Sequence, residues 1–223
     1  MSNQTSELQK EFELERMILF SDAVFAIGIT LLVIEIKFPD VHKGATSAEL
    51  FQQFIPTIIG FLAFILSFFF IGLLWSRHLN IFRYVRSYDN GVIFYNLLFL
   101  FFVVCFPFTA SGLEHFRPSF FLPMYVYAIN LAFVFLSQYA LCNYIFSKKR
   151  NLSKEGYDAE KKYLLLKSKY FATSLCSIVL IVLILSFIFP DFKYLPVLGL
   201  YAFAIIARKI RRRVRKYKPT PAS

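Results

Sequence analysis

Six stretches of apolar residues alternate with short polar segments along the chain, at about 17–36, 51–74, 88–108, 119–146, 170–189 and 194–208. A helix needs roughly 20 apolar residues to cross about 30 Å of hydrocarbon, and most of these stretches approach that length. Backbone groups in lipid must be hydrogen-bonded internally, and the weak two-residue alternation argues against a barrel. The pattern therefore predicts an all-α polytopic membrane protein with six transmembrane helices, the last two forming a tight hairpin.

The composition supports this interpretation, because 57% of the residues are hydrophobic and 29 of the 223 are Phe. A soluble domain of this size could not bury so much apolar surface. The net charge of +11 comes from cations between the apolar stretches, so membrane topology explains it and no nucleic acid partner is predicted. The three Cys residues lie in apolar stretches without metal-ligand or redox spacing, and no cofactor or tightly bound metal is predicted.

The Lys and Arg residues predict the orientation of the chain. With six spans, 21 of the 25 fall in the N-terminal segment, the second and fourth connections and the C-terminal tail. The positive-inside rule then places both termini in the cytoplasm. We divide the chain into a cytoplasmic segment 1–15, a six-helix unit 16–210 and a basic tail 211–223, which is expected to contact anionic membrane lipids.

The first apolar stretch carries unusual polar residues, namely Arg16, Ser21, Asp22, Thr30 and Glu35. Charged groups at membrane depth are costly, so a helix that keeps them usually faces protein or water. This helix is therefore predicted to serve a pathway or a polar network rather than to be a plain anchor.

One face of the first helix is apolar. With Asp22 at zero and about 100° per residue, Ile27 lies at about 140°, Leu31 at about 180° and Ile34 at about 120°. Thr30, at about 80°, shares this face. Packing against another helix or against lipid would explain such a stripe as well as a pore wall would.

Three motifs lie near the ends of the first three spans. They are Arg16-x-x-x-Phe20-Ser21-Asp22, Trp75-Ser76-Arg77-His78 followed by Phe82, and Asn96-Leu97 with Phe106-Pro107-Phe108. Together they resemble the signature of the endosomal and lysosomal potassium channel family (transmembrane protein 175), over roughly residues 12–210. The chain holds one such unit and no second FSD sequence, and in this it is similar to the prokaryotic branch, whose members are homotetramers.

The resemblance implies a potassium channel of a prokaryotic plasma membrane, not an enzyme, in which the first helices of four subunits line a central pore. It assigns the hydrophobic constriction to Ile27, Leu31 and Ile34, and a polar position that assists cation coordination to Thr30. Potassium would then pass transiently at Ile27, Thr30 and Leu31. Apolar constrictions gate by dewetting, and potassium sheds its water more readily than sodium, so modest potassium selectivity is expected.

A polar network is predicted at the cytoplasmic end of the first helix. Arg16, Ser21 and Asp22 are expected to hydrogen-bond with Trp75 and His78, which lie at the same level. The network would either couple rotation of the helix to gating or only satisfy the polar groups of a helix end.

Glu35 and Asp40 follow the first helix near the outer mouth. Four copies of these carboxylates around a pore would concentrate cations there. Ordinary solvated residues at the pore mouth would give the same sequence pattern. An ion-coupled secondary transporter stays an alternative, but the internal repeats and broken helices typical of that class are not evident. A membrane-embedded enzyme is the second alternative, for which Asp22 and His78 are the only plausible pair.

Overall fold

The structure is a computed structural model that describes residues 2–39, 46–115, 121–189, 192 and 195–217. Within these ranges the regular elements are helical, which confirms the all-α fold. The α-helices are α1 Ser2–Ile34, α2 Ser47–Phe82, α3 Asn90–Val104, α4 Phe106–Ser111, α5 Leu122–Ile145, α6 Asp158–Ile188 and α7 Leu195–Arg215. Short 3-10 turns lie at Gly112–His115 and Lys148–Arg150.

Five helical stretches are long and apolar enough to cross a membrane: Leu8–Ile34, Ser47–Phe82, Asn90–Ser111, Leu122–Ile145 and Asp158–Ile188. They correspond to the first five predicted spans, and the chain is a multi-pass membrane protein. The third stretch contains both α3 and α4, which are separated only by Cys105.

The predicted sixth span falls on α7, where about 13 apolar residues precede the basic residues that begin at Arg208. At 1.5 Å per residue this apolar part is only about 20 Å long, shorter than the hydrocarbon thickness. Helix α7 nevertheless packs along α6, as expected for the two helices of a hairpin.

The helix boundaries have local causes. Thr46 and Glu49 form a capping box at the start of α2, where the Thr46 amide donates to Glu49 Oε2 at 2.8 Å. Asp89 caps α3 by accepting a hydrogen bond from the Val92 amide at 2.9 Å. Pro107 lies in the first turn of α4, where the missing N–H of proline is tolerated, and so permits a new helix to start there.

The core consists of two apolar clusters stacked along the bundle. The larger cluster joins α1 to α5 and α6, and its most buried side chains include Phe25, Ile71, Leu74, Phe99, Val103, Phe106, Val134 and Phe135. The second cluster lies at the end of the bundle that carries the basic connections, and it contains Leu14, Ile81, Phe82, Val85, Val92, Leu141, Cys142, Ile145 and Leu152.

Two predicted basic connections meet at that end of the bundle. The Arg86 amide, between α2 and α3, donates to the Leu152 carbonyl, between α5 and α6, at 2.8 Å. The N-terminal half of α1 reaches the same end, where the Tyr88 hydroxyl donates to Glu13 Oε2 at 2.8 Å. This hydrogen bond raises the pKa of Tyr88. Three segments that the charge count assigned to one side of the membrane therefore lie together.

Candidate functional site

Helix α1 has a buried face, formed by Ser21, Phe25, Gly28 and Leu32. Their spacing of four, three and four residues makes one stripe along a helix. At Gly28 the backbone of α1 lies against α3, and an added Cβ would make ordinary van der Waals contact with Val103 Cγ1, at 3.9 Å. This stripe fixes the rotation of α1 against α2, α3 and α4.

The opposite face of α1 is open. Ile27 and Ile34 are 56% and 68% exposed, and Leu31 is 37% exposed. Thr30 is exposed on the same face, and its hydroxyl donates to the Ala26 carbonyl at 3.0 Å. The subunit's own core therefore does not bury this surface, which is left for lipid, for solvent or for another copy of the chain.

A hydrogen bond between α1 and α2 holds a third side of α1. The indole Nε1 of Trp75 donates to Asp22 Oδ1 at 2.8 Å. A carboxylate acceptor makes such a bond stronger than one between neutral groups. The sequence prediction that Asp22 contacts Trp75 agrees with this geometry.

Ser21 and His78 are joined through a residue that the network prediction did not include. Asn96 Nδ2 donates to Ser21 Oγ at 2.9 Å, and Asn96 Oδ1 lies 2.9 Å from His78 Nε2. An amide oxygen only accepts, so Nε2 of His78 carries the proton. All three side chains are buried, and they link α1, α2 and α3.

Asn96 could have been found from the sequence, because it is a lone amide within the apolar stretch of α3. A buried amide is costly unless it is hydrogen-bonded, so such a residue requires partners on neighbouring helices. In the structure, the rings of Phe25, Phe82 and Phe99 surround the imidazole of His78. These rings exclude water from the bonds that Asn96 makes.

Arg16 makes no hydrogen bond to these residues in the part of the chain that the structure describes, and its predicted place in the network stays a prediction. Its side chain is exposed. Six residues before Asp22, it lies at about 120° on the helix, on the same side as Ile27 and Ile34 and away from Trp75. The family motif therefore distributes its residues over different faces of α1.

The outer-mouth residues are only partly described. Glu35 is half-buried just after α1 and borders a small cavity together with Gly60 and Ser111. Asp40 lies outside the described residues.

Arg77 lies between the predicted spans 51–74 and 88–108, so the charge count places it in the second connection, and the structure corrects this assignment. It lies within α2 and is only 8% exposed. Its guanidinium carbon is 5.1 Å from the ring centroids of both Phe135 and Phe171, on α5 and α6. Its Nη2 has no hydrogen-bond partner among the described residues. Two aromatic faces thus take the place of a counter-ion.

The chemistry of the described residues limits what the site can do. No three His, Cys, Asp or Glu side chains in these ranges lie close enough together to hold a metal ion. His78 is bonded to Asn96 rather than to Asp22, so these two residues do not form a hydrogen-bonded acid–base pair. What the arrangement does provide is a firmly oriented helix with an open apolar face.

Comparison with known proteins supports the motif resemblance. Residues 16–107 match the family model described as "Endosomal/lysosomal potassium channel TMEM175". A Chryseobacterium protein named a potassium channel is 35% identical over 118 residues, which make up 52% of this chain and 56% of that protein. A Chamaesiphon minutus protein, also named a potassium channel, is 37% identical over 110 residues, or 49% of this chain and 54% of that protein. The sequence match thus spans about half the length of each relative.

The similarity of fold extends further than the similarity of sequence. A crystal structure described as a lysosomal potassium-selective channel TMEM175 homolog from Chamaesiphon minutus superposes with a TM-score of 0.69 at 26% identity. The superposition covers 91% of this chain and 98% of that one. The matched proteins are named as ion channels and not as enzymes.

Proposed function

We propose that this chain is a member of the endosomal/lysosomal potassium channel family TMEM175, whose model matches residues 16–107, and that it forms a homotetrameric potassium channel. The first helices of four subunits surround the pathway, in the plasma membrane of a prokaryote, with both termini in the cytoplasm. The names of the bacterial relatives and the likeness to a solved family structure support the proposal.

The open apolar face of α1 is the observation that carries the proposal. One helix cannot enclose a channel, but identical helices in a symmetric ring can. With the opposite face fixed against α2, α3 and α4, four copies of α1 meet through Ile27, Leu31 and Ile34. The three side chains extend over about 10 Å at 1.5 Å per residue, and Ile27 forms the narrowest ring.

Selectivity then follows from dehydration. An apolar ring supplies no strong replacement for lost water, so an ion passes in proportion to how readily it sheds part of its hydration shell. Potassium holds its water less tightly than sodium and is favoured modestly. The exposed Thr30 hydroxyl, between Ile27 and Leu31 along the chain, offers a transient oxygen ligand.

The buried hydrogen bonds have a positioning role in this proposal. Trp75 with Asp22, and Asn96 with Ser21, fix the angle at which α1 presents its open face. At the two ends, the basic tail contacts anionic lipid headgroups, and Glu35 with Asp40 attracts cations to the outer mouth.

Ion flux from liposomes tests the function. Purified protein should pass potassium down its gradient without a coupled ion, and strict coupling to protons or sodium would instead identify a transporter. Ile27→Ala should raise sodium permeability relative to potassium several-fold, because it widens the ring. Val33→Ala is the matched control, since Val33 is exposed on α1 but lies about 120° away from Ile27. Equal permeability ratios in Ile27→Ala and Val33→Ala would contradict the assigned constriction.

Particle symmetry provides a test that does not depend on flux. Single-particle imaging of the purified protein should show four subunits with α1 nearest the axis. A particle with α1 at its periphery, facing lipid, would exclude the proposed pore.

A further inference from the structure

A large apolar cavity lies between α2, α5, α6 and α7. Its volume is about 320 Å³. The side chains around it are almost all aliphatic or aromatic, and they include Leu66, Phe70, Leu131, Val179 and Phe203. The lining side chains enclose the cavity only partly.

The cavity lies at membrane depth, on the side of the bundle away from α1. Its walls on α2, α5 and α6 belong to stretches that are long and apolar enough to cross a membrane. Helix α1 packs against α2, α3 and α4, whereas α7 packs against α6. The residues that line the cavity include none from α1, so the cavity is separate from the open face of α1.

Water is a poor occupant for this cavity. The two tyrosine hydroxyls nearest to it are already bonded, Tyr125 to Ser186 Oγ at 2.6 Å and Tyr127 to Ser67 Oγ at 3.1 Å. A buried water needs two to four polar partners, which these walls do not offer. An engineered apolar cavity of about 150 Å³ stays dry and binds benzene, and this one is about twice as large.

An empty cavity of this size is also unfavourable. Its lining side chains would lack van der Waals partners, and the free-energy cost rises with the volume left unfilled. Hydrocarbon chains are the medium around membrane-spanning helices, so they are the apolar molecules with direct access to the opening.

We propose that this cavity binds one acyl chain of a phospholipid from the surrounding leaflet. The packing of α7 shapes one edge of the site, since a Cβ added to Gly199 would lie only 2.7 Å from Val182 Cγ2. Helix α7 thus closes directly on α6 there, and the chain lies between this pair and α2 with α5. The inference requires only that the helices cross a membrane, so it stands or fails separately from potassium conduction.

Photolabelling in liposomes tests the site. Phosphatidylcholine with a diazirine in the middle of one acyl chain is reconstituted with the full chain, irradiated, and the adducts are located by mass spectrometry. We expect adducts on cavity-lining residues of α5, such as Met124 and Leu131. If the adducts lie only on the exposed outer faces of the helices and none lies on the cavity walls, the proposal is overturned. This result needs no variant.

A variant whose cavity is filled by a larger side chain tests whether the labelling depends on the cavity. Ala128→Trp places an indole in the cavity and should reduce labelling of its walls at least fivefold. Ala204→Trp adds the same bulk to an exposed position on α7 that does not line the cavity, and it should leave labelling unchanged. Equal wall labelling in both variants would show that the chain is not held in the cavity.

Two further labelling experiments distinguish a phospholipid from other possible occupants of the cavity. If a diazirine-bearing free fatty acid labels the walls and the phosphatidylcholine probe does not, the bound chain belongs to a free fatty acid and not to a phospholipid. A photoreactive amino acid at position 128 that cross-links to a second copy of the chain would show that another subunit fills the cavity. Either result overturns the assignment to a phospholipid.

Discussion

Replacing Asn96 with Ala tests whether one buried amide holds α1, α2 and α3 together. The substitution removes a hydrogen bond to Ser21 and another to His78, each 2.9 Å long. Bonds between helices in membrane proteins contribute on average about 0.6 kcal/mol and at most about 1.7 kcal/mol, so the two together contribute about 1–3 kcal/mol. The change also leaves Nε2 of His78 buried without a partner, which adds about 1–3 kcal/mol. We expect the free energy of unfolding to fall by about 2–6 kcal/mol, the sum of these two contributions.

Unfolding in mixed micelles, followed by circular dichroism during a titration with dodecyl sulfate, measures this loss. Asn143→Ala is the control, because Asn143 is exposed on α5, and it should change the free energy by no more than about 0.5 kcal/mol. A double-mutant cycle with Ser21→Ala should give a coupling energy of about 0.6 kcal/mol, the typical value for one interhelical bond. The reasoning is refuted if Asn96→Ala costs no more than the control, or if the two substitutions are additive within about 0.3 kcal/mol.

Two other predictions use the same unfolding measurement. Gly91→Ala should destabilise the protein by about 1–3 kcal/mol, because the new Cβ would overlap the Tyr144 ring, whereas Gly72→Ala, with open space around it, should be neutral or slightly stabilising. Equal effects in the two glycine variants would contradict the packing at Tyr144. Arg77→Met should be neutral or stabilising because it removes an unpaired buried charge but keeps the volume, while Arg77→Ala should cost about 2–4 kcal/mol. A clear loss of stability in Arg77→Met relative to the unsubstituted protein would show that the cation itself stabilises the bundle.

The parts of the fold that follow from helical periodicity were predictable. In lipid an apolar segment of sufficient length has only helical solutions, so the first five spans agree with the sequence prediction. The wheel around Asp22 also separated the face of Ile27, Leu31 and Ile34 from that of Ser21, and the structure exposes the first and buries the second. Periodicity does not say what an exposed face meets, so the pore assignment stays a prediction.

The surroundings of individual side chains could not be predicted from patterns along the chain. Counting charges treats each cation as solvated, and it could not detect that Phe135 and Phe171 form an apolar cage for Arg77. Motif spacing placed Arg16 near Asp22 along the chain, but a separation of six residues directs the two side chains to different sides of a helix. The sequence marks Asn96 as an amide in an apolar stretch that needs partners, but the identity of one partner, His78 on α2, depends on packing that a single sequence does not specify.

The uninterrupted course of α1 has a mechanical consequence. Its 33 residues form one helix of about 50 Å, which is attached in its N-terminal half through Glu13 to Tyr88 and ends at Ile34. A rotation of such a rod about its axis would turn Glu13 and Ile34 together. Because Ser21, Phe25 and Leu32 are packed along its buried face, a stimulus at the basic end moves Ile34 only if the contacts of that face shift as well.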